Sequence, residues 1–326
     1  MNESDIRPSV SLSIIVPCLN EEKSIGAFLG VITPMINRWA PGNDWEIIFV
    51  NDGSTDATES VIASANHQNP QIWGISLTRN FGHQPAIFTG LTHANGEIVA
   101  ILDADLQDPP EILDKLIEAI RTDQADVAYG IRDKREASPI LNLCYRGFYR
   151  LMNRIAEHEW KLDAGDFSAM NRRATALILS MPESDRFFRG LRSWIGLRQV
   201  GIPYSRPKRF HGVTKYNFSR LVRLATKGIV GFSTAPLRVA SFFSLFFAAG
   251  SAAMGGLLLA NRFFPAFTVF GYDIGSNPGT ATVAILQMFV SAAVLASLGI
   301  IGEYLSVLLI EVKRRPQSLV SQFIGR

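Results

Sequence analysis

A chain of 326 residues, 47% of them apolar, can bury one sizeable core, and its formal charge of +3 with no DNA- or RNA-binding motif excludes nucleic acid as the primary partner. Two cysteines, Cys18 and Cys144, with no C-x-x-C spacing exclude a disulfide framework and fit packing positions in a reduced cytosolic domain.

Continuous apolar runs alternate with helical stretches through the first 122 residues. Ser11 to Pro17 is expected as a buried strand, followed by a helix from Ser24 to about Ile36. A strand at Glu46 to Asn51 and a helix from about Asp56 to Ala65 come next, then a strand at Ile72 to Ser76 and a helix at Pro85 to Ala94. Ile98 to Leu102 forms the fourth strand and leads into a helix at Pro110 to Thr122. This alternation predicts an α/β domain with a mostly parallel, Rossmann-like sheet covered on both faces, in which ligands bind beyond the carboxyl ends of the strands. After Arg132 the pattern loosens into an Arg- and aromatic-rich segment expected to form the acceptor side of a site.

Tyr216 to Phe232 mixes Phe218, Leu221, Val222 and Leu224 with Arg220, Arg223 and Lys227, the composition of a helix lying in a membrane interface. Val239 to Ala260 and Thr280 to Gly302 carry no charged residue, and about 20 helical residues cover the ~30 Å hydrocarbon layer, so each run is expected to span a bilayer. Basic residues before the first run and after the second, against Arg262 alone between them, place both termini in the cytosol. Met1 to Val10 carries Glu3, Asp5 and Arg7 and lacks a cleavable apolar segment, which also keeps the N-terminal part cytosolic. The expected organisation is a cytosolic catalytic domain over residues 1–210, an interfacial segment over 211–235, and a transmembrane hairpin with a cytosolic tail over 236–326. The chain is thus read as a multi-pass protein of the inner (plasma) membrane. Small residues at four-residue spacing, such as Ser251 with Gly255 and Ala292 with Ala296, suit close helix packing within the chain or in a homo-oligomer.

Asp103 and Asp105 leave the fourth strand with small Ala104 between them, and Gln107 and Asp108 follow. Hard oxygen donors of this kind suit Mg²⁺ or Mn²⁺, which commonly bind one or two carboxylates and complete their shell with substrate phosphates. Asp52 stands after the second strand and before Gly53, where a backbone either makes a turn or approaches a ligand closely. With Asn20 and Glu21 beyond the first strand, these residues outline a nucleotide cradle. Arg206, Arg209 and Lys215 are candidates for phosphate binding, since an Arg fork matches phosphate oxygens and Lys supplies a point charge; membrane-surface charge is the competing reading. His83, with no nucleophile or metal partner evident in the sequence, reads as structural.

Four strings carry a resemblance: Ile15-Val16-Pro17-Cys18-Leu19-Asn20-Glu21-Glu22, Val50-Asn51-Asp52-Gly53-Ser54-Thr55-Asp56, Arg79-Asn80-Phe81-Gly82-His83-Gln84, and Asp103-Ala104-Asp105-Leu106-Gln107-Asp108-Pro109-Pro110-Glu111. They resemble the family 2 inverting glycosyltransferases of GT-A fold, in the branch of dolichyl-phosphate mannose synthase and bactoprenol glucosyltransferase. Further matches at Gly165-Asp166-Phe167, Arg206 to Tyr216, Gly302 to Leu305 and Glu311 to Lys313 extend it over nearly the whole chain. The resemblance implies Pro17, Asn20, Glu22, Asp52 and Asp103 beside a nucleotide-sugar, Asp103, Asp105 and Gln107 around the metal, and Asp166 at the position often proposed as catalytic base. Two departures stand out: Asn51 where the family commonly has Asp, and Ser168-Ala169-Met170 where an Arg-Leu-containing sequence is usual.

The implied reaction moves a hexose from a nucleotide-sugar to a polyprenyl phosphate, undecaprenyl phosphate, at the cytosolic membrane face. UDP-glucose leads as donor because the two-span branch looks closest to the bactoprenol enzymes, with UDP-N-acetylhexosamine, UDP-aminoarabinose and GDP-mannose open. A membrane transport subunit is the non-enzymatic alternative, which the lack of ionisable groups within the expected spans disfavours.

Overall fold

The computed structural model describes residues 10–132, 164–184, 186–205 and 280–325, with scattered positions between 237 and 256. The predicted first half is observed nearly residue for residue. β1 (Val10–Cys18), α1 (Ser24–Trp39), β2 (Trp45–Asn51), α2 (Thr58–Gln68), β3 (Ile72–Leu77), α3 (His83–His93), β4 (Gly96–Ile101) and α4 (Pro110–Arg121) follow one another in the expected order. Beyond them come β5 (Val127–Arg132), β6 (Ala164–Asn171), α5 (Arg172–Ser180), α6 (Phe188–Trp194), β7 (Gln199–Tyr204), α7 (Thr280–Lys313) and β8 (Val320–Ile324).

Among the described residues eight strands form one mixed sheet in the order β7-β5-β6-β4-β1-β2-β3-β8. β1, β2, β3 and β4 pair in parallel, as do β5 and β7, whereas β6 runs antiparallel between β4 and β5. Alternate side chains serve opposite faces, as the two-residue strand period requires. Leu12, Ile14 and Val16 of β1 join Trp45, Ile47 and Phe49 of β2 under α1 and α4. Ile15, Ile48 and Val50 face the other way, against Ile87 and Leu91 of α3 and Ile178 of α5. Both faces are covered, which is why these strands read as unbroken apolar runs rather than alternating ones.

α7 is 34 residues long, and within it Phe289–Lys313 is long and apolar enough to cross a membrane, containing an 18-residue window of mean hydropathy 2.1. The helix runs on past Gly302, where the uncharged run ends, because no helix breaker interrupts Glu303 to Lys313. It stops where Arg314 takes a left-handed φ of 45° and Pro316 follows. The first expected span is described only at scattered positions, all helical, and the interfacial segment 211–235 lies outside the described residues.

The tail beyond α7 belongs to the same compact unit as the sheet, while α7 belongs to a second unit. β8 pairs antiparallel with β3, with Gly74 opposite Ile324 and Ser76 opposite Gln322. Thr78 N–H donates to the Leu319 carbonyl at 2.9 Å, the Ser318 and Thr89 hydroxyls lie 2.7 Å apart, and the Phe323 ring packs edge-on to His93 at 5.2 Å. The tail therefore closes one sheet edge and braces α3.

Gly90 sets how closely α3 can approach the sheet, because a Cβ there would run into Ile15 Cγ2 and lie 3.2 Å from Val50 Cγ2. Gly90→Ala gains about 1 kcal/mol of helix propensity but faces about 1–3 kcal/mol of overpacking. The variant is expected to melt below wild type in a thermal unfolding scan; a raised Tm would show that α3 has room to move.

Candidate active site

The loops after β1 and β2 are stitched together by side chains that the sequence offered as nucleotide ligands. Asn20 sits at φ 57°; its Oδ1 accepts from Thr55 N–H at 2.8 Å, and its own N–H donates to Ser54 Oγ at 2.9 Å. Glu22 Oε2 accepts from Ala57 N–H at 3.0 Å, and Glu22 N–H donates to Asp56 Oδ2 at 3.2 Å. Pro17 is buried in β1 opposite Val50.

Asp52 is 4% exposed, and its two oxygens accept from the backbone N–H groups of Phe81 and Gly82 at 2.7 and 2.8 Å. It thereby fixes the turn that leads into α3. Gly53 has φ 69°, and a Cβ there would lie 2.5 Å from the Arg79 carbonyl carbon, so the glycine serves the approach of this turn. Asn51 also has a local reason. Ser76 gives its hydroxyl proton to Glu59 Oε2 at 2.7 Å, leaving a lone pair toward Asn51 Nδ2 at 3.3 Å, which an amide can meet and an ionised carboxylate cannot.

Asp103 and Asp105 emerge just past β4, as expected. Asp103 is partly exposed, Asp105 is exposed, and Ala104 is buried between them. Leu106 takes a left-handed φ of 51°, and Gln107 N–H donates to Asp105 Oδ1 at 3.1 Å. Asp108 is buried and accepts from the Tyr204 hydroxyl at 2.5 Å, tying this turn to β7. Burial pushes the Asp103 carboxyl up to about 6, aided by Asp108, Asp105 and Asp166 and opposed by His83. Among the described residues no group of three or more His, Cys, Asp or Glu side chains is arranged as a complete metal cage. Two carboxylates nevertheless fit a Mg²⁺ or Mn²⁺ whose remaining ligands are substrate phosphates and water.

β6 brings Asp166 to the same corner. Its register pairs Ile101 with Ser168 and Ala100 with Ala169, and continued two residues further it sets Asp103 opposite Asp166. Asp166 is 7% exposed. Arg189 of α6 grips it with two parallel bonds, Nε to Oδ1 and Nη2 to Oδ2, both 2.9 Å. Gln84 Nε2 adds a bond at 3.2 Å, while Gln84 Oε1 accepts from Phe188 N–H at 2.8 Å. Burial alone would raise the Asp166 pKa, but His83 and Arg189 outweigh it and hold the carboxyl well below the usual carboxylate range. His83 Nε2 stands 3.6 Å from Asp166 Oδ2 and 3.7 Å from Asp103 Oδ1. Behind this group Arg192, 2% exposed, donates to the Gly165 carbonyl at 3.0 Å and lies 4.4 Å over the Tyr129 ring.

Residues 13–178 match the family described as Glycosyl transferase family 2. A SfII prophage-derived bactoprenol glucosyl transferase of Shigella flexneri is 36% identical over 96% of this chain and 98% of its own length. The chain belongs to glycosyl transferase family 2. The enzyme is likewise similar to a prophage bactoprenol glucosyl transferase homolog of Escherichia coli, 34% identical over 96% of this chain and 99% of that one. An uncharacterized glycosyltransferase of Synechocystis is 35% identical, covering 97% and 96% of the two chains. Membership in this family sets aside the transport-subunit alternative.

Of the residues expected at the glycosyltransferase site, the structure brings Asp103, Asp105 and Asp166 to one corner and Asn20, Glu22 and Asp52 to the neighbouring loops. Arg206, Arg209 and Lys215 lie outside the described residues. His83 and Gln84 were legible as part of a matched string but not as partners of Asp166. Arg189 and Arg192 carried no sequence signal beyond their positive charge in a short helix.

Removing one partner of a buried ion pair leaves the other uncompensated. Arg189→Met is therefore expected to destabilise the glycosyltransferase by about 3 kcal/mol at neutral pH, the low end of that range because Arg189 itself is partly exposed. The depressed pKa of Asp166 means that its stabilising contribution is present above the unfolded carboxyl value of about 4 and is lost as pH falls. The Tm gap between variant and wild type should shrink steadily as pH is lowered toward 4 and below; a gap independent of pH would contradict the ion-pair account.

Proposed function

We propose that this enzyme transfers glucose from UDP-glucose to undecaprenyl phosphate with inversion at the cytosolic face of the inner membrane. The observation that carries the reading is the end-to-end likeness to proteins named bactoprenol glucosyl transferase, which includes the apolar α7 as well as the catalytic sheet. In this reading the chain is a multi-pass protein: residues 1–210 form the catalytic domain, 211–235 an interfacial segment, and 236–326 a two-span hairpin with both termini cytosolic.

Pro17, Asn20, Glu22 and Asp52 belong to the nucleotide side. The cross-loop bonds of Asn20 and Glu22, with the turn held by Asp52, support a preformed cradle whose geometry does not wait for the nucleotide. Asp103, Asp105 and Gln107 would hold Mg²⁺ or Mn²⁺, which when bound would supply positive charge to offset that of the departing nucleotide. Arg206, Arg209 and Lys215 meet the acceptor phosphate. The acceptor needs little help in losing a proton, because a phosphate monoester with a second pKa of about 6 is largely dianionic at neutral pH. Asp166, committed to Arg189 and Gln84, accordingly serves to orient the site.

Purified full-length enzyme is expected to form glucosyl-phosphoundecaprenol when offered UDP-glucose and undecaprenyl phosphate, read by mass spectrometry against UDP-N-acetylhexosamines, UDP-aminoarabinose and GDP-mannose. EDTA or Asp105→Ala should abolish turnover. A product from another donor alone would replace glucose in this reading, and full turnover of Asp105→Ala in EDTA would remove the metal from it.

A further inference from the structure

His83 has no role in the reaction as proposed so far, yet it occupies the centre of the site. It is the first residue of α3, and the turn before it is fixed by the two backbone bonds to Asp52. Its imidazole is 43% exposed, and Nε2 is nearly equidistant from Asp103 Oδ1 and Asp166 Oδ2, at 3.7 and 3.6 Å. Both separations exceed a hydrogen bond. A donor held this way between two carboxylates can turn to a third oxygen without first breaking a short bond.

The surroundings decide what that oxygen belongs to. Asp103, Asp105 and Asp166 gather carboxylates here, so a phosphate dianion can be seated only where positive charge or N–H donors face it. Among the described cations, Arg189 spends two N–H groups on Asp166, Arg192 is buried on the Gly165 carbonyl, and Arg79 lies over Phe81 with a bond to the Asn80 carbonyl. His83 is a partly exposed donor within 4 Å of both Asp103, assigned to the metal, and Asp166. In an inverting displacement the nucleophile approaches the anomeric carbon opposite the departing nucleotide. With the nucleotide diphosphate on the Asp103 and Asp105 side, the nucleophile arrives from the Asp166 side, and His83 Nε2 is within 4 Å of a carboxylate oxygen on each side.

We infer that His83 is a substrate-positioning residue, whose Nε2–H donates to a non-attacking oxygen of the acceptor phosphate and holds a polyprenyl phosphate monoester in line for attack. This rests on the function proposed above and names a residue that receives the acceptor headgroup. In the step itself an acceptor phosphate oxygen forms the new bond to the anomeric carbon while the bond from that carbon to the nucleotide diphosphate breaks. The diphosphate leaves with the electron pair, and His83 keeps its proton throughout.

The test uses full-length enzyme in detergent with citronellyl phosphate, a short soluble polyprenyl phosphate, and separates binding from turnover. One hydrogen bond to a charged group corresponds to at least about tenfold in affinity. His83→Ala should therefore weaken citronellyl phosphate binding and raise the acceptor KM by at least about tenfold, with UDP and Mn²⁺ affinities unchanged. His83→Gln, which keeps an N–H donor, should retain most of the affinity. Unchanged acceptor binding in His83→Ala would overturn the inference, as would loss of Mn²⁺ binding, which would make His83 a metal ligand. Should His83→Ala fail to fold, the Gln and Glu substitutions, alike in length, carry the test: Gln is expected to bind acceptor and Glu to repel it, and equal binding by the two would overturn the inference. Wild-type enzyme that glycosylates no polyprenyl phosphate would instead sink the proposed function, an outcome distinct from an active wild type whose His83 variants bind acceptor normally.

Discussion

The bidentate bond between Asp166 and Arg189 is the interaction on which the arrangement of the site depends. A carboxylate buried at the end of a central strand costs several kcal/mol unless it is paired, and the pairing here recruits three elements. β6 supplies Asp166, α6 supplies Arg189, and the start of α3 supplies Gln84, which at the same time caps the backbone of Phe188. Gln84 and His83 are adjacent, so fixing one fixes the other. Asp52 anchors the same turn from the opposite side. The start of α3 is thus clamped between two carboxylates, and that clamp holds His83 near Asp103.

A clamped Asp166 is poorly suited to removing a proton. Its low pKa makes it a weak base, and its oxygens are engaged by Arg189 and Gln84. In the proposed reaction the acceptor arrives already ionised and needs orientation more than deprotonation, which a clamped carboxylate can supply. Asp103 is the opposite case, its pKa raised to about 6 by burial and neighbouring carboxylates. The proposed function gives these two carboxylates, with pKa values pushed apart, two different tasks.

The first half of the fold was legible because each strand is buried on both faces and reads as a solid apolar run, Ile47 to Val50 and Ile98 to Leu102 being examples. β6 was not. Its sequence, Ala164 to Asn171, includes Asp166 and Ser168, and its place between β4 and β5 follows from long-range pairing that no local pattern records. β8 was hidden for the same reason, since its partner β3 precedes it by most of the chain. At the site, Asp103 and Asp105 were readable from their position after a strand. Their proximity to Asp166 was not, because antiparallel register alone brings the two segments together. Asn20 and Glu22 were expected beside a nucleotide from the resemblance, while the structure shows them bonding loop to loop, to the backbone of Thr55 and Ala57.

The most direct measurement is the pH profile of kcat for Asp166→Asn beside that of wild type, with UDP-glucose and undecaprenyl phosphate. An orienting carboxylate predicts that the variant is slowed by a factor that stays constant from pH 6, at the acceptor's second pKa of about 6, to pH 9, well above it, while its affinity for UDP is kept. A deficit that closes steadily toward wild type as pH rises would show that Asp166 removes a proton, and would contradict the account.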